Sequence, residues 1–380
     1  MIQQPLKIIN VVGARPNFMK IGPLMRVYRA YASIHPFLVH TGQHYEKEMS
    51  DLFFQELDIP APDIHLDVGS ASHAVQTAEI MRRFEPVLSD LTPDLVLVVG
   101  DVNSTIACAL TAAKWAIPIA HVEAGLRSFD RAMPEEINRV LTDALSDCLF
   151  TTERGAGENL QREGIPAEKT FFVGNVMVDT LLRYLQKAKA SSILNCLGLE
   201  DAGAPFAVLT LHRPSNVDDS KIFKRLLEAI ETISKELLIL FPAHPRTKKK
   251  ILDLGWGDYF KTDIPIPSQQ KGIYLLDPLG YLDFIHLVSR SKMLLTDSGG
   301  VQEETTVLGI PCLTLRENTE RPITVTQGTN IIVGTDPDRI LSEARNVLEG
   351  RQRQKRLPEL WDGEAAVRIV EILAKRYGKI

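Results

Sequence analysis

At 380 residues, with 44% hydrophobic and 24% charged, the chain has ordinary globular composition and room for two domains with sizeable cores. A net charge of −5 supplies no global basic field, which argues against nucleic acid or an anionic membrane as partner; an anionic ligand has to be met by local groups. The four cysteines, Cys108, Cys148, Cys196 and Cys312, are far apart and form no CxxC pair, so no zinc site or disulfide framework is expected and a reducing cytoplasm fits. No apolar run approaches a membrane span, and the apolar part of MIQQPLKIINVVGARPNF is too short for a signal peptide; it reads as a first strand.

In chain order, the strand candidates of the first half are KIINVV (7–12), PFLVH (36–40), DLVLVV (94–99), PIAHV (118–122), CLFT (148–151) and TFFVG (170–174). The second half repeats the rhythm with FAVLTL (206–211), LLILF (237–241), GIYLL (272–276), KMLLT (292–296), PCLTL (311–315) and NIIVG (330–334). Near-continuous apolar strands separated by helical patterns mean parallel sheets covered on both faces. The fold class expected is therefore α/β, with two Rossmann-like, doubly wound parallel-sheet domains. Residues 1–187 form the first domain, 188–205 a linker where strand signal vanishes, 206–362 the second domain and 363–380 a final amphipathic helix, GEAAVRIVEILAKRY.

Open parallel sheets bind ligands beyond the carboxyl ends of their strands, so chemistry is expected at those ends. VVGARPNFMK turns sharply at Gly13 and sets Arg15 and Lys20 near a helix start, which suits an anion as well as it suits a solvated surface turn. VVGDVNST ends a strand with Asp101, where helix capping by Asp101, Asn103, Ser104 or Thr105 is the commoner reading of such residues. HVEAGLRS places His121, Glu123 and Arg127 past the next strand, and AMPEEINR follows, with Pro134, Glu135 and Glu136 suiting a first helical turn. Capping and dipole compensation explain one acid; they do not explain Asp101, Glu123 and Glu135 gathering at one sheet edge.

In the second half LTLHRPSN ends its first strand with His212 and Arg213, and FPAHPR ends the next with His244 and Arg246. TDSGGVQEE poses a chemical question, because Ser298, Gly299 and Gly300 offer backbone N–H groups while Asp297, Glu303 and Glu304 crowd the same turn. A helix N-terminus with bare glycines suits a diphosphate, and an ionised Glu304 one turn on accepts from ribose hydroxyls, so a nucleotide fits better than free phosphate. A capped helix with dipole-compensating acids is the structural alternative. No GxGxxG or GxxxxGK[ST] is present, which argues against NAD and against ATP hydrolysis.

Taken together, GARPNFMK, TGQHYEKEM, GDVNST, HVEAGLRSFDRAMPEEINR, LTLHR, DSGGVQEE and ENTERP resemble the non-hydrolysing UDP-N-acetylglucosamine 2-epimerase family, over nearly the whole chain. The resemblance implies a glycosyltransferase-B-like pair of domains, an active site in the cleft between them and a final helix returning to the first domain. It implies interconversion of UDP-N-acetylglucosamine and UDP-N-acetylmannosamine by elimination of UDP to 2-acetamidoglucal and re-addition, with no NAD and no metal. By motif, Asp101, Glu123, Glu135 and His212 match the catalytic set. Arg15, Ser298, Gly299 and Gly300 match diphosphate contacts, with Lys20 nearby; Glu304 matches the ribose contact, and Phe284 and Arg321 match nucleotide-side positions. Gln43, His44, Arg213 and His244 match an allosteric site, but HRPSN and HPRTKKK depart from the common bacterial HRREN and HxNPxVR around it, as in an archaeal-type branch. The family suggests a cytoplasmic homodimer. Rival activities on this scaffold are a hydrolysing 2-epimerase releasing free N-acetylmannosamine, and a 2-epimerase of a UDP-2,3-diacetamido uronic acid. The latter needs a cation for the uronate, for which Arg127 and Lys248 to Lys250 are the candidates.

Overall fold

The computed structural model describes residues 4–42, 56–200, 205–267, 269–351 and 356–378. Its contacts divide the chain into two compact units, Met1–Arg183 with Glu359–Ile380, and Tyr184–Pro358. The first contains a seven-stranded sheet: β1 Leu6–Val12, β2 Ile34–His40, β3 Ile64–His65, β4 Leu95–Val99, β5 Ile119–Val122, β6 Cys148–Thr151 and β7 Thr170–Phe172, ordered β3-β2-β1-β4-β5-β6-β7. The second unit's sheet has β8 Phe206–Thr210, β9 Leu238–Pro242, β10 Phe260–Lys261, β11 Ile273–Leu276, β12 Met293–Thr296, β13 Cys312–Thr314 and β14 Asn330–Ile332, ordered β10-β11-β9-β8-β12-β13-β14. Every described strand pair is parallel. The α/β doubly wound class is the one expected. All twelve expected strands form; β3 and β10, the additions, are two-residue edge strands too short to carry a pattern.

The reason these runs become strands is visible in their burial. β4, LVLVV, is buried at every position, as a central parallel strand with helices on both faces must be. In β8, Ala207 and Leu209 enter one apolar cluster while Phe206 and Val208 enter another, and β12 divides Met293 and Leu295 from Leu294 in the same way. This is the period of two expressed as two cores, one on each face of the sheet.

The stretch 188–205 was expected to be a linker. Its described part instead carries the short helix Ile193–Cys196, and Leu194, Leu197 and Leu199 bury in the same cluster as Phe206 and Val208. Three leucines among small residues are too few for a periodic signal, yet each gains from leaving water.

The chain's last segment packs into the first unit. Trp361 is 1% exposed and its indole N–H donates to the Thr152 carbonyl at 3.0 Å. Gly174 has φ +89°, and a Cβ there would stand 2.1 Å from the Leu360 carbonyl oxygen, so only glycine admits this approach. The helix Ala365–Tyr377 begins on a carboxylate from the helix Val176–Lys189: the N–H groups of Ala365 and Ala366 donate to Asp179 at 3.2 and 2.7 Å.

Burial raises the Asp179 carboxyl to about 6 even though those N–H donors and Arg26 pull it down. Between its ordinary value of 3.8 and about 6, the folded chain holds a proton that the unfolded chain has released. The stabilising contribution of that proton is complete below pH 4 and is lost as pH rises through about 6. Asp179→Asn removes the titration. The wild type is therefore expected to lose stability relative to this variant between pH 4 and 6.5, by roughly 2 kcal/mol. Urea unfolding of both proteins across that range checks this, and parallel curves would refute it.

Candidate functional site

In each sheet the strand order reverses at one point, between β1 and β4 in the first unit and between β8 and β12 in the second. The loops leaving the carboxyl ends there are where a doubly wound sheet opens a crevice. In the first unit, a Cβ on Gly13 would lie 2.0 Å from the Ser104 hydroxyl and 2.6 Å from that of Thr41, so the turns after β1, β2 and β4 meet only because this residue is glycine. Asn17 locks the turn: its Oδ1 accepts from the N–H groups of Gly13 and Ala14 at 3.0 and 3.1 Å, and its Nδ2 donates to the Val99 carbonyl at 3.1 Å. Arg15 opens the helix Arg15–Tyr28, while its side chain, like Gln43 and His44, lies outside the described residues. Lys20, on the same helix, is 4% exposed and forms an ion pair with Glu123, itself 5% exposed. The sequence placed Lys20 beside an anionic ligand; the structure gives it a carboxylate of the chain.

Asp101 follows β4 but does not cap the next helix. The cap position of Asn103–Lys114 is Val102, and no side chain caps it, which corrects the commoner reading of DVNST. Asp101 is instead ion-paired with Arg139, 3% exposed on the helix Pro134–Leu145. The other terminal nitrogen of Arg139 pairs with Glu136. Glu136 also accepts from the Ser128 N–H, the Ser128 hydroxyl and the Phe129 N–H, each at 2.9 Å. Of the two acids in PEEINR, Glu136 is therefore the structural one. Glu135 is half-buried and makes no hydrogen bond or ion pair to the described residues.

Glu123, just past β5, has φ +74°, a left-handed backbone that a residue with a side chain adopts only when its surroundings hold it there. The N–H groups of Glu123 and Ala124 both donate to the Phe150 carbonyl of β6, at 3.1 and 3.0 Å. Arg127, a sequence candidate for binding a uronate, is 3% exposed and bonded to Asp143 at 2.7 Å and Glu163 at 2.8 and 2.5 Å. That corrects its candidacy, because a buried guanidinium closed between two carboxylates of the chain has no face for a substrate.

In the second unit the acids of TDSGGVQEE separate into different tasks. Asp297 is fully buried and turns back toward β8. It accepts from the N–H groups of His212 at 3.1 Å and Arg213 at 2.9 Å, from Asn216 at 3.2 Å, and lies 2.9 Å from His212 Nδ1. Burial alone would raise this carboxyl; His212 and the backbone donors outweigh it and hold it below its ordinary range. The His212 side chain remains 50% exposed, so its imidazole is fixed at one nitrogen and presented to solvent.

Ser298 precedes the helix Gly299–Leu308, whose first-turn N–H groups have no acceptor within the helix. A Cβ on Gly299 would stand 2.3 Å from a Glu320 oxygen, so a side chain here would have to displace Glu320. Gly300 is partly exposed in the same turn. Glu303 pairs with Arg321 at 3.0 Å, and Arg321 also reaches Glu320 at 3.3 Å, tying TERP to this helix. Glu304 is 5% exposed on the same turn as Glu303. Phe284 packs half-buried against the core, and His244 caps the helix Pro245–Asp253 by accepting from the Arg246 N–H at 3.2 Å. Arg213 is half-buried.

Sequence reasoning missed two positions and the task of a third. Arg139 is signalled by its i, i+3 spacing from Glu136. Asp297 was seen, but not as the anchor of His212. Asp143 carries no signal, since NRVLTDALSD reads as an ordinary amphipathic helix.

The buried pair gives a direct test. Lys20→Met leaves Glu123 in low dielectric without its ammonium and is expected to cost roughly 3–5 kcal/mol, read by urea unfolding. Adding Glu123→Gln should recover much of that loss, and a fully additive double variant would show that the two groups are not coupled.

Comparison with known proteins bears on the same regions. Residues 27–374 match the family model described as UDP-N-acetylglucosamine 2-epimerase. The UDP-N-acetylglucosamine 2-epimerase of Methanocaldococcus jannaschii is 41% identical, covering 98% of this chain and 100% of that protein. The UDP-2,3-diacetamido-2,3-dideoxy-D-glucuronate 2-epimerase of Pseudomonas aeruginosa is also 41% identical, covering 97% of this chain and 100% of its own. The crystal structure of the M. jannaschii enzyme in complex with UDP-GlcNAc and UDP superposes with a TM-score of 0.88 at 40% identity, over 97% of this chain and 100% of that one. With the family model matching residues 27–374, which fall in both units, the chain belongs to the UDP-N-acetylglucosamine 2-epimerase family.

Proposed function

We propose that the chain interconverts UDP-N-acetylglucosamine and UDP-N-acetylmannosamine without net hydrolysis. The observation that carries the proposal is the pair of carboxylates at neighbouring strand ends, Asp101 after β4 and Glu123 after β5, each held by a buried cation, Arg139 and Lys20. C2 of the sugar bears no carbonyl neighbour, so its proton is poorly acidic. Departure of UDP from C1 has to lead, the C1–O bond breaking as the C2 proton leaves and the C1–C2 double bond of the acetamidoglucal forms. In the second half the UDP oxygen returns to C1 and a proton is delivered to the opposite face of C2. That chemistry needs acid/base groups for both faces, which Asp101, Glu123 and Glu135 supply, and stabilisation of the departing diphosphate. His212, fixed by Asp297, the N–H groups of Gly299 and Gly300 and the Ser298 hydroxyl suit the diphosphate, with Arg15 as a further cation; the Ser298 N–H itself donates to the Thr296 hydroxyl at 3.0 Å. Glu304 suits the ribose and Phe284 the nucleoside side; Arg321, 5% exposed between Glu303 and Glu320, is closed as Arg127 is and positions that turn. No hydride moves on this route, so it needs no nicotinamide; with His212, Arg15 and backbone N–H groups assigned to the diphosphate, the reading includes no metal. We infer as well a cytoplasmic homodimer whose response to a second nucleotide sugar, through Gln43, His44, Arg213 and His244, differs from that of bacterial relatives.

A second reading is favoured by the P. aeruginosa relative, which acts on a diacetamido glucuronate and is as similar as the archaeal enzyme. It requires a cation for the uronate other than Arg127. Lys248 to Lys250 are the candidates, Lys248 standing 2.6 Å from the exposed carboxylate of Asp277.

Incubation with UDP-N-acetylglucosamine in deuterated water, followed by proton NMR, decides between these. The expected product is UDP-N-acetylmannosamine with deuterium at C2. Free N-acetylmannosamine with UDP would move the chain to the hydrolysing class, and an unchanged substrate would send the assay to the diacetamido uronate. Glu123→Gln is expected to lower kcat at least 10³-fold while UDP affinity stays within about threefold by calorimetry. Loss of UDP binding would make Glu123 structural.

A further inference from the structure

We propose that Asp143 is a positioning residue for both strand-end carboxylates, gathering His121, Gly125 and Arg127 into one buried cluster that fixes the turns carrying Asp101 and Glu123. The inference rests on the epimerase reading for what those carboxylates do, though not for where they are held.

Asp143 lies on the helix Pro134–Leu145 and is fully buried. One carboxylate oxygen lies 2.6 Å from His121 Nδ1; the other accepts from the Gly125 N–H at 3.0 Å and lies 2.7 Å from Arg127 Nη1. Burial pushes the carboxyl upward, but His121 and then Arg127 outweigh it, so the group sits below its ordinary range. His121 carries the connection one strand further. It pairs in register with Val98 of β4, and its Nε2 lies 2.8 Å from the Gly100 carbonyl, on the residue before Asp101. Both ring nitrogens thus face oxygen acceptors, and the imidazole ties the end of β4 to the helix that supplies Arg139.

The turns so held are ones that would not hold themselves. Gly100, Glu123 and Gly125 have φ of +67°, +74° and +79°. A Cβ on Gly125 would stand 2.4 Å from the Ala156 carbonyl oxygen, so the turn lies directly on the neighbouring helix. Within two residues of Glu123, on either side, the chain is bonded to Asp143. A buried ionic cluster is a poor choice for stability alone, since apolar packing of equal volume does as well. Here each donor to Asp143 comes from the segment that displays Glu123, and His121 extends the hold to the turn of Asp101.

The test compares Asp143→Asn with two substitutions at His121. Asparagine places an amide where Nδ1 was, keeping the Asp143 contact and losing Gly100; glutamine places one where Nε2 was, keeping Gly100 and losing Asp143. Asp143→Asn is expected to lower kcat about 100-fold, and each His121 variant about 10-fold, with KM and UDP affinity within threefold of wild type. A folded Asp143→Asn with kcat within threefold of wild type, or a parallel loss of kcat and UDP affinity, overturns the proposal. If Asp143→Asn does not fold, the His121 variants, which retain the Asp143–Arg127 pair, decide by the same criteria. A wild type inactive on both UDP-sugars sinks the epimerase reading instead. Crystal structures of the variants then decide the positioning claim: shifted Gly100–Asp101 or Glu123–Gly125 turns support it, and unmoved turns overturn it.

Discussion

A carboxylate taken out of water has to be met by a cation or by N–H donors, and the first unit meets that requirement with Lys20 at Glu123. The two come from the helix after β1 and the turn after β5, so their pairing passes over the end of β4. Gly100 stands at that crossing: a Cβ there would lie 2.8 Å from Lys20 Nζ and 3.3 Å from a Glu123 oxygen. The same glycine has a left-handed backbone, which turns the chain so that Asp101 leaves toward Arg139. The glycine that follows β4 thus leaves room for the ion pair and turns the chain toward the cation that receives Asp101. The turn of Gly13, braced by Asn17 against Val99, brings the Lys20 helix close enough for the pair to form.

The second unit meets a similar demand with a different partner. Asp297 is buried at the end of β12, and its charge is met by backbone N–H groups and His212 from the end of the adjacent strand, β8. The adjacent acids of TDSGGVQEE are then not rivals for one ligand. Asp297 faces back into the sheet, Glu303 is bound by Arg321, and Glu320 occupies the space a side chain on Gly299 would need. Acids and N–H donors share the turn because the acids organise the donors' surroundings.

The fold was legible because central parallel strands are apolar on both faces, and a run such as LVLVV has no other stable place. The two-residue edge strands β3 and β10 were not, since nothing in two residues distinguishes a strand from a loop. Among site residues, polarity at a strand end identified Asp101, Glu123 and His212, but local rules misjudged what Asp101 does. Capping depends on backbone geometry within four residues, whereas its actual partner, Arg139, is 38 positions away. Asp143 was invisible for the same reason. Its three partners lie 16 to 22 residues upstream, and only the crossover from β5 through the Pro134–Leu145 helix brings them together.

Glu135 and Glu136 show how neighbours in sequence acquire opposite tasks. Successive helical residues project about 100° apart, so two adjacent acids cannot both face the same loop. Glu136 turns toward the backbone of Ser128 and Phe129 and toward Arg139, and is 3% exposed. Glu135 faces away, half-buried, with no bond to the described residues. Under the proposed reaction the difference has a use. Asp101 and Glu123 are clamped by guanidinium and ammonium groups and reach only what comes to them. A proton has to be taken from one face of C2 and returned to the other, and under this reading Glu135 adds a third acid to the clamped pair. Glu136 holds the loop and Arg139, so that structural task does not fall to Glu135.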